Sequence, residues 1–248
     1  MRLIVISRKT LLILFVLIIL LGFGGFYQKK NLTMPSLVRE PGTYYMVKTQ
    51  EKVVALTFDD GPDPLYTGFL LDVLKTKNVK ATFFILGSNA TQSPDLLKRI
   101  SAEGHEIGNH GYSHSYTSSQ FIRELERTDE VVFKVIQQHT RFYRPPGGIV
   151  SKSVVEGVKN KGHVLTLWSI DSKDWRNPGP ARIVQNVVNS SFPGAIILLH
   201  DGGEKREQPI QALSSIIEQL KQQGYRFVTV SELKNYESNT AAQSDILK

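Results

Sequence analysis

The 248-residue chain has no cysteine. That absence removes a disulfide framework, a thiolate metal site and a cysteine nucleophile together, and leaves the redox compartment open. Internal repeats and low-complexity segments are also missing, so nothing points to a solenoid or a biased linker. Apolar residues are not scarce: 41% of the chain is hydrophobic and 21% charged. Such a composition excludes wholesale disorder and allows one α/β domain with a large core, or at most two small domains. Most of the chain lacks a surplus of charge as well. The net charge is +7, yet residues 1–30 hold Arg2, Arg8, Lys9, Lys29 and Lys30 and no acid. Setting those five aside from the 30 basic residues leaves 25 against 23 acidic ones. A body this close to neutral presents no field for a polyanion, so no nucleic-acid partner is expected.

The basic surplus frames an apolar run. Residues 11–26 are all apolar or glycine, with Arg2, Arg8 and Lys9 before them and Lys29 and Lys30 after. A run of about 16 residues lies between a signal-peptide core and a full membrane span. No small-residue cleavage site follows it. Residues 1–27 are therefore read as an uncleaved signal-anchor helix, with a cleaved signal peptide as the alternative. Positive charge on the N-terminal side keeps that end in the cytoplasm and places the body outside, as a single-pass protein of the cell membrane. Residues 28–50, broken by Pro35, Pro41 and Gly42, read as an extracytoplasmic stalk, and 237–248 as a loose polar tail.

Between them, 51–236 form the expected catalytic domain. Short apolar runs at 53–58, 81–86, 105–109, 141–144, 164–170, 195–199 and 225–230 read as strands, several continuously apolar as buried parallel strands are. Helical spacing marks 65–77, 94–103, 119–139, 151–161, 180–190 and 207–223, with Gly104, Gly162 and Gly224 at expected helix ends. Alternation of this kind predicts a parallel α/β sheet, open or closed into a barrel. In either form, reactive groups gather at the C-terminal ends of strands.

The residues standing there carry chemistry. After the first strand come Asp59 and Asp60, adjacent carboxylates whose repulsion calls for a cation. After the third come His110 and His114, spaced to reach one ion. One Asp and two His make three protein ligands with positions left open, the arrangement of a catalytic rather than a structural metal site. A donor set without sulfur suits zinc, cobalt, nickel or iron(II). After the fourth strand comes Arg144, followed by Pro145, Pro146, Gly147 and Gly148; a fixed guanidinium there can orient a carboxylate. After the fifth stand Asp171, Asp174 and Trp175, acids beside an aromatic plate for a sugar. After the sixth, His200 emerges from an apolar strand as a general acid or base would, followed by Asp201.

These segments resemble the five motifs of the polysaccharide deacetylase family, the carbohydrate esterases of family 4 that share the NodB homology domain. They occur in the family's order across 57–203. The resemblance implies a distorted (β/α) barrel of about seven parallel strands. It implies Asp60, His110 and His114 as ligands of one divalent metal ion, zinc by first choice, with cobalt or nickel as alternatives. It implies Asp59 as general base, Arg144 as its orienter, His200 as general acid, and Asp171 as the acid that pairs with and tunes His200. Gly147, Trp175 and Leu198 would line the substrate pocket, Gly147 through a backbone N–H toward the oxyanion. Two positions depart from the family pattern. Gly111 replaces a frequent Ser or Thr, removing a loop-fixing hydroxyl, and Gly147 replaces a frequent aromatic residue, shrinking the groove wall.

The expected activity is removal of N-acetyl groups from an extracytoplasmic amino-sugar polymer, foremost peptidoglycan N-acetylglucosamine, giving glucosamine units and acetate. Chitin oligomers, poly-N-acetylglucosamine and O-acetylated xylan are alternative substrates. A non-catalytic carbohydrate-binding protein and a hydrolase of non-sugar amides are alternative functions. The acetylated polysaccharide and the membrane are the expected partners; no protein partner is inferred. His105 reads as a core histidine, His139 and His163 as solvated or capping.

Overall fold

The computed structural model describes residues 43–116, 120–203 and 205–237. The expected signal-anchor, most of the expected stalk and the tail from 238 lie outside the described residues. Among the described residues no helix is long and apolar enough to cross a membrane.

In chain order the elements are β1 (Thr43–Tyr44), β2 (Val53–Asp59), α1 (Thr67–Thr76), β3 (Thr82–Ile85), α2 (Gly87–Gln92), α3 (Pro94–Ala102) and β4 (Glu106–Asn109). There follow α4 (Phe121–Ile136), β5 (Phe142–Tyr143), a 3-10 turn (Pro146–Gly148), α5 (Lys152–Asn160), β6 (Val164–Thr166) and β7 (Ile170–Asp171). A second 3-10 turn (Asp174–Arg176), α6 (Pro180–Val188), β8 (Ala195–His200), α7 (Glu207–Gln222), β9 (Arg226–Phe227) and α8 (Val230–Lys234) complete it. One sheet runs in the order β1-β6-β5-β4-β3-β2-β8-β7, with β9 also paired to β2, and its strand pairs are parallel. β6 pairs with β5 while β7, three residues further on, pairs with β8, so the sheet curls back on itself. The result is a curled, barrel-like β/α fold.

The pleat explains why β2 reads as a continuous apolar run. Val54, Leu56 and Phe58 pack outward under the helices, with Phe83, Ile85, Ile197 and Leu199 from the neighbouring strands. Val53 and Ala55 point inward among Phe84, Phe142, Ile196 and Val228. Both faces are covered, so neither needs polar residues. Helix α7 presents Ala212, Leu213, Ile216, Ile217 and Leu220 to the outer core at three- and four-residue spacing. Each buried Leu or Ile contributes about 1.5–3 kcal/mol of transfer free energy. The inward series of β2 continues through Thr57 to Asp59, and that of β8 through Leu198 to His200. One end of the interior is therefore apolar and the other carries reactive groups.

Three expectations need correction. The stalk does not extend to residue 50: β1 pairs with β6, Val47 is in the inner core, and its N–H donates to the Gly194 carbonyl at 2.9 Å. Gly194 (φ +83°) has no room for a side chain, since a Cβ would stand 2.0 Å from the Val47 oxygen. The strand expected over 164–170 breaks into β6 and β7: the Leu167 N–H makes the last bond of the β1–β6 ladder, to the Tyr44 carbonyl, and the Leu167 carbonyl turns to Arg144. The strand expected over 225–230 pairs only at Arg226–Phe227, since Thr229 and Glu232 form a capping box that starts α8.

His105 is buried at the start of β4, accepts the Ala81 N–H on Nδ1 at 3.2 Å, and meets the Phe83 ring edge-on. Burial, with help from Lys80, pushes its pKa down from 6.5 to about 4. The native state thus refuses a proton that the unfolded chain accepts below pH 6.5, and stability falls as pH drops from 6.5 to about 4. Allowing for its partial contact with solvent, we expect a loss on the order of 2 kcal/mol. In His105→Asn, whose amide oxygen can replace Nδ1 as acceptor, urea unfolding should show that loss removed relative to wild type between pH 7 and pH 4. A wild-type-to-variant gap that stays constant over this range contradicts the assignment.

Candidate active site

Strand register brings the reactive residues together. Asp59 of β2 stands opposite His200 of β8, the His110 N–H bonds the Ile85 carbonyl at the end of β3, and the Arg144 N–H bonds the Asn109 carbonyl. Asp59, His110 and His200 border a cleft of about 630 Å³ at the C-terminal ends of the strands, and Arg144 is buried behind Asp59.

Arg144 has no exposed surface. Its Nη1 donates to Asp59 Oδ1 at 2.7 Å and to Thr57 Oγ1 at 2.9 Å, and its Nη2 to the Leu167 carbonyl at 2.9 Å. The guanidinium lies over the Phe84 ring, 4.0 Å from its centroid. Asp59 is thereby fixed by a cation from the protein.

Asp60 takes a different environment because its backbone is left-handed (φ +76°), a conformation Asp tolerates better than bulkier residues. The turn is held by Asn89, which donates to the Asp60 carbonyl at 2.7 Å, and by Asp201, which accepts the Gly61 N–H at 3.1 Å. Asp60 Oδ1 lies 3.4 Å from His110 Nε2 and 3.3 Å from His114 Nε2, and it is buried with no hydrogen-bond donor. One donor atom from each of the three residues falls within 4.8 Å of the others. His110 Nδ1 is 2.8 Å from the Arg144 carbonyl, so it carries the proton and leaves the Nε2 lone pair free toward Asp60. Burial alone would raise the Asp60 pKa, but His110, His200 and His114 outweigh it and hold it at about 2. Burial opposes charge on His110, while Asp59 and Asp60 outweigh it and raise its pKa. Three donors converging on an oxygen that lacks a proton donor fit one divalent cation.

The loop carrying His114 is held from α4. The Glu124 carboxylate accepts the N–H groups of Tyr112 (2.9 Å) and Ser113 (2.6 Å) and the Ser113 hydroxyl (2.9 Å). Asn109 accepts the Gly111 N–H at 2.9 Å and donates to Asp129, which also faces His163 Nε2 at 2.9 Å. His163 thus pairs with Asp129 through Nε2, and its Nδ1 meets the carbonyl of Lys161, the residue that ends α5, at 3.0 Å, in line with the capping role expected of it. His139 stacks on Phe133. The hydroxyl missing at Gly111 leaves the loop anchored by Glu124 instead.

The expected pairing of Asp171 with His200 is not what the fold makes. Asp174 bonds His200 twice, Oδ1 to Nδ1 at 2.7 Å and Oδ2 to the backbone N–H at 2.8 Å. Lys173 is left-handed (φ +58°), and the 3-10 turn after it drives Asp174 into the interior. Asp171 stays at the rim, accepting the Lys173 N–H at 2.8 Å and facing the Trp175 indole N–H at 3.4 Å. Burial opposes charge on His200, but Asp174, Asp59 and Asp60 lift its pKa to about 9. Trp175, Leu198 and Gly147 border the cleft as expected. The groove wall beside Gly147 is not bare: a Cβ there would stand 2.9 Å from the Tyr116 ring, which also packs edge-on against His114. Tyr116, Trp168 and Arg206 border the cleft without having been singled out from sequence. Asp201, buried beneath Asp60, has its pKa pushed up to about 7 by burial and by its carboxylate neighbours.

Comparison with known proteins bears on this arrangement. A polysaccharide deacetylase family model matches residues 46–166. A peptidoglycan-N-acetylglucosamine deacetylase of Bacillus cereus is 44% identical over 204 residues, covering 79% of this chain and 96% of the relative. The chain belongs to the polysaccharide deacetylase family. A second relative, the peptidoglycan-N-acetylmuramic acid deacetylase PdaA of Bacillus subtilis, is 36% identical, covering 80% of this chain and 77% of the relative. Among solved structures, that of a peptidoglycan N-acetylglucosamine deacetylase in complex with 4-naphthalen-1-yl-N-oxidanyl-benzamide superposes with a TM-score of 0.76. It is 38% identical, covering 80% of this chain and 95% of that one.

For this polysaccharide deacetylase, the Glu124 contacts predict a metal phenotype. Glu124→Ala should weaken divalent-metal affinity about 10–100-fold, the usual effect of removing a group that orients a ligand. Competition with a chromophoric chelator measures it, and an unchanged affinity contradicts the role.

Proposed function

We propose that this protein is a metal-dependent hydrolase that removes N-acetyl groups from peptidoglycan, acting on N-acetylglucosamine units to give glucosamine units and acetate. The observation that carries the reading is the separation of two neighbouring carboxylates: Asp59 is paired with Arg144, Asp60 with two imidazoles. Asp60, His110 and His114 would hold the cation, with zinc the first choice and cobalt or nickel as alternatives. A divalent cation there supplies Lewis-acid polarisation of the amide carbonyl and lowers the pKa of water.

The chain's own groups supply the rest. Asp59, held in place by Arg144, accepts a proton from the attacking water as its oxygen bonds the carbonyl carbon. The Pro146–Gly148 turn brings main chain to the cleft wall, where an N–H can accompany the developing oxyanion. His200, with Nδ1 held by Asp174, gives its Nε2 proton to the departing nitrogen as the C–N bond breaks, since an amine does not leave as an anion. Trp175 offers a half-exposed ring for a sugar face.

The choice of polymer is supported by the names of the relatives above, and the glucosamine position by the more similar of the two. The apolar run at 11–26, flanked by positive charge, supports a tether that keeps the domain at the outer membrane face; a cleaved signal peptide is the alternative. A carbohydrate-binding protein without activity would have no need of Asp59, Arg144, Asp174 and His200 in one connected arrangement.

Acetate release from peptidoglycan and from N-acetylglucosamine oligomers, with Zn²⁺, Co²⁺ or Ni²⁺ added, tests the reading. Asp59→Asn should lose about 100-fold or more of the activity while still binding metal, whereas His110→Ala should lose the metal itself. No acetate from the metal-loaded wild type contradicts the proposal. Asp174→Asn removes the carboxylate that keeps His200 protonated, so the alkaline limb of the pH–rate profile should move to lower pH. Asp171→Asn should leave that limb in place and act on substrate affinity through Trp175; the opposite pattern restores Asp171 as the partner of His200.

A further inference from the structure

Two arginines are buried among the described residues, Arg144 and Arg206. Arg144 meets Asp59, but Arg206 has no carboxylate within ion-pair distance among the described residues. It is 6% exposed, and its Nε donates to the Gly202 carbonyl at 2.7 Å. Of the described acids nearest in sequence, Glu207 accepts the Tyr66 hydroxyl at 3.0 Å, and Asp201 holds the Gly61 N–H and the Thr67 hydroxyl. The guanidinium borders the catalytic cleft. A methyl group added at Gly203 would lie 3.3 Å from Arg206 Nη2 and 3.4 Å from Asp60 Oδ2, so both groups flank one point of the cleft floor.

A buried guanidinium that meets no carboxylate among the described residues is costly, and one beside a cation site is repelled as well. Both costs vanish when an anion enters between them. The remaining N–H groups of a planar guanidinium match a carboxylate in a two-bond fork. We propose that Arg206 forms a carboxylate subsite in the cleft. Its ligand is either a carboxylate borne by a substrate sugar, such as a free lactyl or uronic acid, or the acetate that hydrolysis releases. The turnover part rests on the deacetylase reading; the binding part does not.

Binding of acetate to chelator-treated protein, followed by nuclear magnetic resonance, addresses the subsite directly. Arg206→Gln should weaken it about tenfold or more, and Arg206→Lys, which keeps the charge, should weaken it less. Turnover then separates the sources. A loss of kcat/KM about tenfold greater on peptide-stripped, acid-bearing glycan than on neutral N-acetylglucosamine oligomers assigns the subsite to the sugar. Equal turnover on both, with acetate inhibition relieved, assigns it to the product. Acetate binding and the acid-to-neutral preference both unchanged in Arg206→Gln overturn the proposal, whatever happens to overall activity. A wild type that releases no acetate defeats the deacetylase reading alone, and the binding measurement still decides for Arg206.

Discussion

The contact between Arg144 and Asp59 organises the catalytic end of the barrel. A guanidinium with no exposed surface needs partners for its donors, and here Nη1 and Nη2 reach a carboxylate, a hydroxyl and a main-chain carbonyl, while Nε has none. The partners come from two parts of the fold. Asp59 and Thr57 are on the inner face of β2, and the Leu167 carbonyl is free because the β6–β7 segment leaves the ladder there. The Arg144 carbonyl in turn fixes His110, so one residue ties the proposed base to the proposed metal site. Replacing either member of the pair would strand a buried charge, which typically costs about 3–5 kcal/mol.

Chemistry at this end follows from giving like groups unlike neighbours. Asp59 and Asp60 are adjacent in sequence and both largely buried, yet the left-handed turn at Asp60 sends them to different partners. Asp171 and Asp174 repeat the theme, one at the rim under Trp175, the other inside on His200. In both cases backbone conformation, not residue type, sets the environment.

Much of this was legible in the sequence because buried parallel strands announce themselves as apolar runs and reactive residues stand after them. Asp59, Asp60, His110, His114, Arg144 and His200 could be named that way; the structure brings five of them to one cleft and buries Arg144 against Asp59. What escaped depends on turns. Nothing in Asp-Ser-Lys-Asp-Trp says which acid turns inward; that is decided by φ at Lys173. Tyr116, Trp168 and Arg206 follow loops whose path no periodicity encodes. The Thr229–Glu232 capping box, by contrast, is a T-x-x-E spacing legible in the sequence, at the end of an apolar run that reads as a longer strand. Val47 hid in a polar stretch whose pairing with distant β6 and Gly194 has no local signature.

The central claim is that Asp60, His110 and His114 hold the metal while Asp59 stays on Arg144. An anomalous-difference map from crystals of the zinc-loaded protein tests it most directly. The account predicts one peak bonded to Asp60, His110 Nε2 and His114 Nε2 at about 2.0–2.2 Å, with the Arg144–Asp59 contact intact. A peak bonded to Asp59, or one that leaves out either histidine, contradicts it.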